Sequence, residues 1–275
     1  MRPTLFYLPF GLPIYGYGAI LCLSVVVGRW LALRLAARDG FDASLMNRAC
    51  AWALAGAVVG ARLLYVVTNP GSFGNLADVF AWWKGGVVAY GGFLGGFLAT
   101  LIFCRIHRVP LLAWVDCVAP SLGVGLMITR IGCYLGGCDF GLPWNGPWAV
   151  HFPAGSPAFN QQVLQGMLPA TAAQSLAVHP TQLYESLVGL ALFAIAMTVR
   201  RRRTFAGQAF MASVLGYAVL RSAVEVARAD LDRGALGPLS TSQWIAAATF
   251  ASAAIAWYVL QRRRSHGGLL SCATS

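Results

Sequence analysis

Long apolar runs alternate with short polar segments along the whole chain. Seven runs are long enough to cross about 30 Å of hydrocarbon as helices. They cover about 14–36, 46–68, 86–104, 111–130, 181–199, 206–228 and 241–260. No repeat of fixed period, heptad pattern or low-complexity linker interrupts them. The pattern predicts an all-α integral membrane protein with seven transmembrane helices. It reads as a single polytopic membrane domain over 1–275, with a small outer-face segment at about 132–179. Trp144 and Trp148 in that segment suit the membrane interface.

Composition agrees with this reading. The chain is 58% hydrophobic and 11% charged, too little charge to cover a soluble domain of 275 residues. Residues 1–13 carry Pro3, Pro9 and Pro13, and the first run is too long for a signal-peptide core, so no cleaved signal is expected. The net charge of +11 suggests nucleic acid until its placement is considered. Arg34, Arg38 and Arg48 lie between runs one and two, and Arg105 and Arg108 between three and four. Arg200, Arg201, Arg202 and Arg203 lie between five and six, and Arg262, Arg263 and Arg264 after seven. The alternate loops hold little more than Lys84 and Arg233. This positive-inside pattern puts the N-terminus outside and the C-terminus in the cytoplasm. The arginines then touch anionic membrane lipid, and no nucleic-acid partner is expected.

Against this background, polar groups within the spans stand out, because each is costly in hydrocarbon. The densest cluster is His179-Pro180-Thr181-Gln182-Leu183-Tyr184-Glu185, which opens run five; Pro180 suits a first helical turn. Arg62 lies deep in run two, Arg130 ends run four, and Arg221 precedes Glu225 by one helical turn in run six. A structural ion pair explains Arg221 and Glu225 in isolation. Three arginines toward one side of a bundle also suit a cavity for an anion, most simply a phosphate.

Run three holds Gly91 with Gly95 and Gly92 with Gly96, two small-xxx-small faces. They suit either close helix packing or a groove where backbone meets lipid, with the Tyr90 hydroxyl beside it. After Arg130, glycines 132, 136, 137 and 141 imply a tight turn whose backbone N–H groups favour an anion. Of seven cysteines, Cys22, Cys50, Cys104 and Cys117 are expected as small core residues, and Cys272 lies in the tail. Cys133 and Cys138 share the glycine-rich turn. They suit a structural disulfide, two buried thiols or a redox pair. Asp139 and His151 add little as zinc ligands at this spacing, so no metal is expected.

The HPTQLYE segment, the glycine-rich turn opened by Arg130 and the Arg221–Glu225 pair resemble the prolipoprotein diacylglyceryl transferase family, and the similarity runs over nearly the whole chain. Gly60-Ala61-Arg62 with Tyr65 resembles its second span, and Gly91-Gly92 its third. Pro147-Trp148-Ala149-Val150 with Phe152-Pro153 resembles its outer segment, and Ser240 with Gln243 the start of its last helix.

The resemblance implies a bacterial inner-membrane enzyme without cofactor. Its substrates are phosphatidylglycerol and the signal peptide of an exported prolipoprotein. The diacylglyceryl group passes to the lipobox cysteine thiol as a thioether, and glycerol phosphate leaves. In these terms Arg130 and Gly141 belong to the phosphatidylglycerol-binding signature, and Arg221 matches an essential arginine. Tyr17 matches a family tyrosine near the start of span one, with Tyr15 as the competing register.

Arg130, Arg221, His179 and Tyr90 are therefore the catalytic candidates. Arg62, Tyr17, Gly141, Gln182, Tyr184, Glu185 and Glu225 join Arg130 as substrate-binding candidates. His179 suits either a proton acceptor or a backbone hydrogen bond, and Glu185 suits a residue that orients arginine. The family pattern has asparagine where this chain has Cys133, glutamate where it has Cys138, and histidine where it has Tyr90. Two alternatives therefore stand beside transfer: a membrane thiol oxidoreductase using Cys133 and Cys138, and a non-catalytic lipid-binding paralogue.

Overall fold

The computed structural model describes residues 4–7, 13–81, 85–229, 235–236 and 239–271. Lys84, Arg233, Cys272, Pro3 and Pro9 lie outside the described residues, as do the side chains of Tyr15 and Arg264.

Each predicted run forms a helix. They are α1 (Gly16–Arg38), α2 (Ala43–Thr68), α4 (Ala89–Ile106), α5 (Leu111–Gly136), α7 (Thr181–Arg202), α8 (Gln208–Glu225) and α9 (Thr241–Ser271). Short helices α3 (Leu76–Val79) and α6 (Pro157–Leu164) lie in the connections. Six of these helices are long and apolar enough to cross a membrane; α8 falls short because Gln208, Arg221 and Glu225 dilute its apolar surface. Two short antiparallel pairs, β1 (Thr4–Tyr7) with β2 (Pro13–Tyr15) and β3 (Ala235–Leu236) with β4 (Leu239–Ser240), precede α1 and α9. The chain forms two compact units. One is Ala32–Cys117, and the other joins Met1–Leu31 to Val118–Ser275.

The Ala32–Cys117 unit is built on the crossing of α2 and α4. A Cβ on Gly60 would strike the Gly91 carbonyl oxygen, and one on Gly95 that of Gly56. Backbones can approach this closely only where side chains are absent, the usual reason for small-xxx-small spacing in membrane helices. The Gly91/Gly95 face makes this contact; Gly92 and Gly96 sit against Ala57 and Ala53 with more room. The glycines of run three thus pack helices together. Phe103, Cys104, Trp114 and Cys117 are buried in this unit, as expected of the two cysteines.

Buried Arg62 also belongs to it, with a use the sequence did not suggest. Nε donates to Val79 O at 2.9 Å. Nη1 donates to Gly85 O at 2.5 Å and Gly86 O at 2.9 Å. Nη2 donates to Asp78 O at 2.7 Å and Ala81 O at 3.4 Å. All five guanidinium N–H groups are engaged by backbone carbonyls. Arg62 clamps the loop between α2 and α4 and keeps no donor for a phosphate.

In the other unit, α5 and α7 cross at Gly123 and Gly189. A Cβ on Gly189 would lie 2.5 Å from Met127 N, and one on Gly123 2.6 Å from Phe193 N. Ser186 Oγ donates to Met127 O at 2.9 Å beside this crossing. The close approach sets the first turn of α7 against the last turns of α5. Val188, Leu192 and Val224 then join α7 to α8. Pro180 precedes the first turn of α7, one position earlier than its sequence suggested. The 137–180 segment has its own core of Phe140, Phe152, Ala158 and Val178. Cys22 departs from expectation: it is exposed on the apolar surface of α1.

Candidate active site

Three stretches of backbone meet where α5 and α8 end and α7 begins. Gly141 N donates to His179 O at 3.0 Å, His179 N to Leu142 O at 3.0 Å, and Leu142 N to Ala227 O at 2.9 Å. A Cβ on Gly141 would lie 2.6 Å from both Ala227 O and His179 Cβ. Gly141 therefore lets three segments close on one another. Thr181 Oγ1 donates to Asp139 O and Gln182 Nε2 to Cys138 O, each at 2.7 Å, which pins the start of α7 to the end of α5. Gln182 Oε1 is buried with no hydrogen-bond partner among the described residues.

This scaffold carries three arginines and three carboxylates. Glu185, 1% exposed, sits at the centre. It pairs with Arg130 through Nε, with Arg228 Nη1 at 2.5 Å and with Arg221 Nε at 3.5 Å. Asp139 binds Arg130 Nη1 at 2.8 Å and Arg228 Nη2 at 2.6 Å. Glu225 accepts from Arg221 Nη1 at 2.5 Å and from Ser240 Oγ at 2.9 Å. Ser240 in turn starts α9 with a reciprocal cap: its N–H donates to Gln243 Oε1 at 3.0 Å, and Gln243 N donates to its Oγ at 3.2 Å.

The six charges cancel, so the cluster is no bare cationic pocket. The carboxylates offset the cost of holding guanidinium groups away from water and fix their direction. Burial pushes the Asp139 carboxyl up, and the charges of Arg130 and Arg228 more than offset this, holding it below the usual aspartate value.

The arginines are engaged unequally. Arg228 is buried and spans Glu185 and Asp139 with both terminal nitrogens. Arg130 commits Nε and Nη1, and Arg221 likewise. Their Nη2 groups have no protein partner among the described residues, and their side chains stay 19% and 12% exposed. Two pre-aimed donors thus remain for an anion.

The other candidates are placed as follows. His179 stacks on Trp144 at 4.3 Å between ring centroids, and its Nδ1 lies 3.1 Å from Tyr184 Oη. Tyr184 Oη also accepts from Trp148 Nε1 at 2.7 Å. His179 and Tyr184 therefore share an aromatic network with Trp144 and Trp148. The Tyr17 ring lies against Gly132 on α5. Tyr90 belongs to the Ala32–Cys117 unit and is 52% exposed.

Cys133 and Cys138 are free thiols. With Asp139 their ligand atoms lie within 4.8 Å of one another, close enough for a metal. Both Asp139 oxygens, however, are bound by arginine, and His151 Nδ1 instead faces Ser175 O at 2.9 Å. Two residues of the cluster were missed from sequence: Asp139, weighed only as a zinc ligand, and Arg228, which lies just beyond the helix and outside the recognised motifs. Its seven-residue spacing from Arg221 is the signal that would have found it.

Comparison with known proteins agrees with these features. The model of a family described as prolipoprotein diacylglyceryl transferase matches residues 3–259. The phosphatidylglycerol–prolipoprotein diacylglyceryl transferase of Clostridium tetani is 31% identical over 245 residues, 89% of this chain and 92% of its own. The protein of that name from Thermus thermophilus is 35% identical over 224 residues, 78% and 79% of the two chains. That from Trichormus variabilis is 32% identical over 256 residues, 90% and 86%.

Proposed function

Since the chain belongs to the prolipoprotein diacylglyceryl transferase family, we propose that it moves the diacylglyceryl group of phosphatidylglycerol onto the lipobox cysteine thiol of exported prolipoproteins. The observation that carries this reading is the pair of uncommitted Nη2 donors on Arg130 and Arg221, both oriented by Glu185.

The substrate sulfur attacks the glyceryl carbon that bears the phosphate. A C–S bond forms, the C–O bond breaks, and its electron pair leaves on the phosphate oxygen. The thiol proton ends on the released glycerol phosphate or on solvent. Deprotonating a thiol of pKa ~8.5 near pH 7 costs roughly 2 kcal/mol, so the step needs no strong base of its own. The larger demand is the second negative charge that grows on the phosphate in a low-dielectric site. A preorganised donor aimed at such charge contributes roughly 3–4 kcal/mol. Arg130 and Arg221 each keep Nη2 uncommitted, so the two side chains together can hold a phosphate with one prong apiece. Gln182 Oε1, a buried acceptor without a partner, suits a hydroxyl of the glycerol headgroup. Tyr17 and Tyr184 line the same end, and His179 is better suited to positioning Tyr184 than to taking a proton.

The arginine-poor loops support an outer-face position for this end of the helices in the bacterial inner membrane, where exported preproteins arrive. Complementation of a strain with conditional depletion of its own diacylglyceryl transferase tests the reading in cells. The wild-type gene restores growth and lipoprotein modification, and Arg130→Ala does not. Failure of a stably inserted wild-type protein to complement would favour a lipid-binding paralogue.

A further inference from the structure

Cys133 and Cys138 occupy a particular place in the fold. Helix α5 ends at Gly136, Gly137 adopts φ +73°, and Cys138 N donates back to Cys133 O at 3.3 Å. This is the Schellman ending of a helix, in which the residues at the two ends of that bond carry side chains that touch. In most proteins the touching pair is apolar; here it is two thiols. The sulfurs lie within 4.8 Å of each other, Cys133 is 4% exposed, and Cys138 is partly accessible. The hydrogen bond from Cys133 lowers the pKa of the Cys138 thiol, and with the Arg130 charge it outweighs burial and the Asp139 charge. A more accessible, more acidic thiol beside a buried one is the arrangement of an attacking and a resolving cysteine.

The pair is also wired to the arginine cluster. Arg130 Nη1 lies 3.8 Å from Cys133 Sγ and 2.8 Å from Asp139, the residue after Cys138. The carbonyls of Cys138 and Asp139 hold Gln182 and Thr181. A disulfide holds its sulfurs at about 2.05 Å, so closing it moves at least one of them and changes the surroundings of Arg130, whose Nη1 touches both Cys133 Sγ and Asp139.

We propose that Cys133 and Cys138 form a dithiol modification site for a disulfide-class oxidant, and that closing it slows the transferase; the second half rests on the function proposed above. The Cys138 thiolate attacks the oxidant disulfide, forming a mixed disulfide and expelling one thiolate. Cys133 then attacks the Cys138 sulfur, forming the internal disulfide and expelling the second. Two cysteine thiols and one disulfide become one protein disulfide and two small thiols, which take up the two protons. The proposed outer-face placement puts the pair in a compartment where such oxidants persist.

The test treats the full-length protein in detergent with oxidised glutathione, blocks remaining thiols with N-ethylmaleimide, and maps peptides while transfer is measured in parallel. The expected result is a linked Cys133–Cys138 peptide two hydrogens lighter than the reduced pair. Transfer should fall at least tenfold and recover with dithiothreitol. A Cys133→Ser, Cys138→Ser double variant should hold its own rate under the same treatment. No linked peptide, or stable glutathione adducts in its place, would overturn the site. A linked peptide with unchanged transfer, or a double variant that is equally inhibited, would overturn its coupling to the arginines. If the reduced protein transfers nothing, the transferase reading fails, and the peptide map alone still decides whether the dithiol site exists.

Discussion

Replacing Arg221 separates anion stabilisation from structural pairing. Arg221→Ala removes an Nη2 donor with no protein partner, together with the pairs to Glu225 at 2.5 Å and Glu185 at 3.5 Å. Glu185 keeps Arg130 and Arg228, and Glu225 keeps Ser240 Oγ at 2.9 Å. The folded state therefore retains most of the network, while the reaction loses one of two phosphate donors. A loss of about 3–4 kcal/mol of transition-state stabilisation corresponds to a rate loss of roughly 10²–10³. Because the charge grows during reaction, kcat and kcat/KM should fall together. Arg221→Lys should recover only part of the rate, since one ammonium group cannot hold Glu225 and Glu185 as Nη1 and Nε do and also reach the phosphate as Nη2 does. The assay is steady-state transfer from phosphatidylglycerol to a lipobox peptide, with thermal unfolding in detergent on the same preparations. A folded Arg221→Ala variant within fivefold of wild type would refute the argument. So would a rate loss fully explained by its unfolded fraction.

Three further outcomes follow from the same geometry. Arg62→Ala should raise protease sensitivity and lower the thermal midpoint of the protein, because residues 78–86 lose five carbonyl contacts; a large rise in KM at unchanged stability would instead restore Arg62 as a lipid ligand. Asp139 is held below its usual value, so its stabilising contribution is full above ~3.9, the unfolded value, and disappears as pH falls through its folded value; an Asp139→Asn variant should show a shallower loss of thermal midpoint on acidification than wild type. Cysteine labelling should place residue 160 outside and residue 203 in the cytoplasm, and a cytoplasmic residue 160 would put the arginine cluster on the wrong side for exported substrates.

All seven long helices were legible, six of them long and apolar enough to cross a membrane, because hydrocarbon thickness imposes a run length that hydropathy displays directly. The arginine cluster was half legible. Arg130, Glu185, Arg221 and Glu225 are costly residues in apolar runs, so each announces itself. Arg228 closes predicted run six but lies three residues past the end of α8, where an arginine resembles any cation that ends a span, and its burial comes from the Gly141 closure that joins distant segments. Arg62 shows the opposite failure. Hydropathy marks a buried guanidinium but not its partner, and loop carbonyls satisfied this one as fully as a phosphate would. Cys22 was expected in the core because cysteine is usually buried, yet a membrane protein can expose such a side chain on an apolar surface at little cost.

The central claim is tested most directly by following both products in one reaction. Purified full-length protein, phosphatidylglycerol in detergent and a lipobox peptide should yield diacylglyceryl thioether and glycerol phosphate in equal amounts, with both signals falling together in Arg130→Ala. Peptide modification without glycerol phosphate would contradict the account. So would the absence of both products under conditions where the Clostridium tetani relative is active.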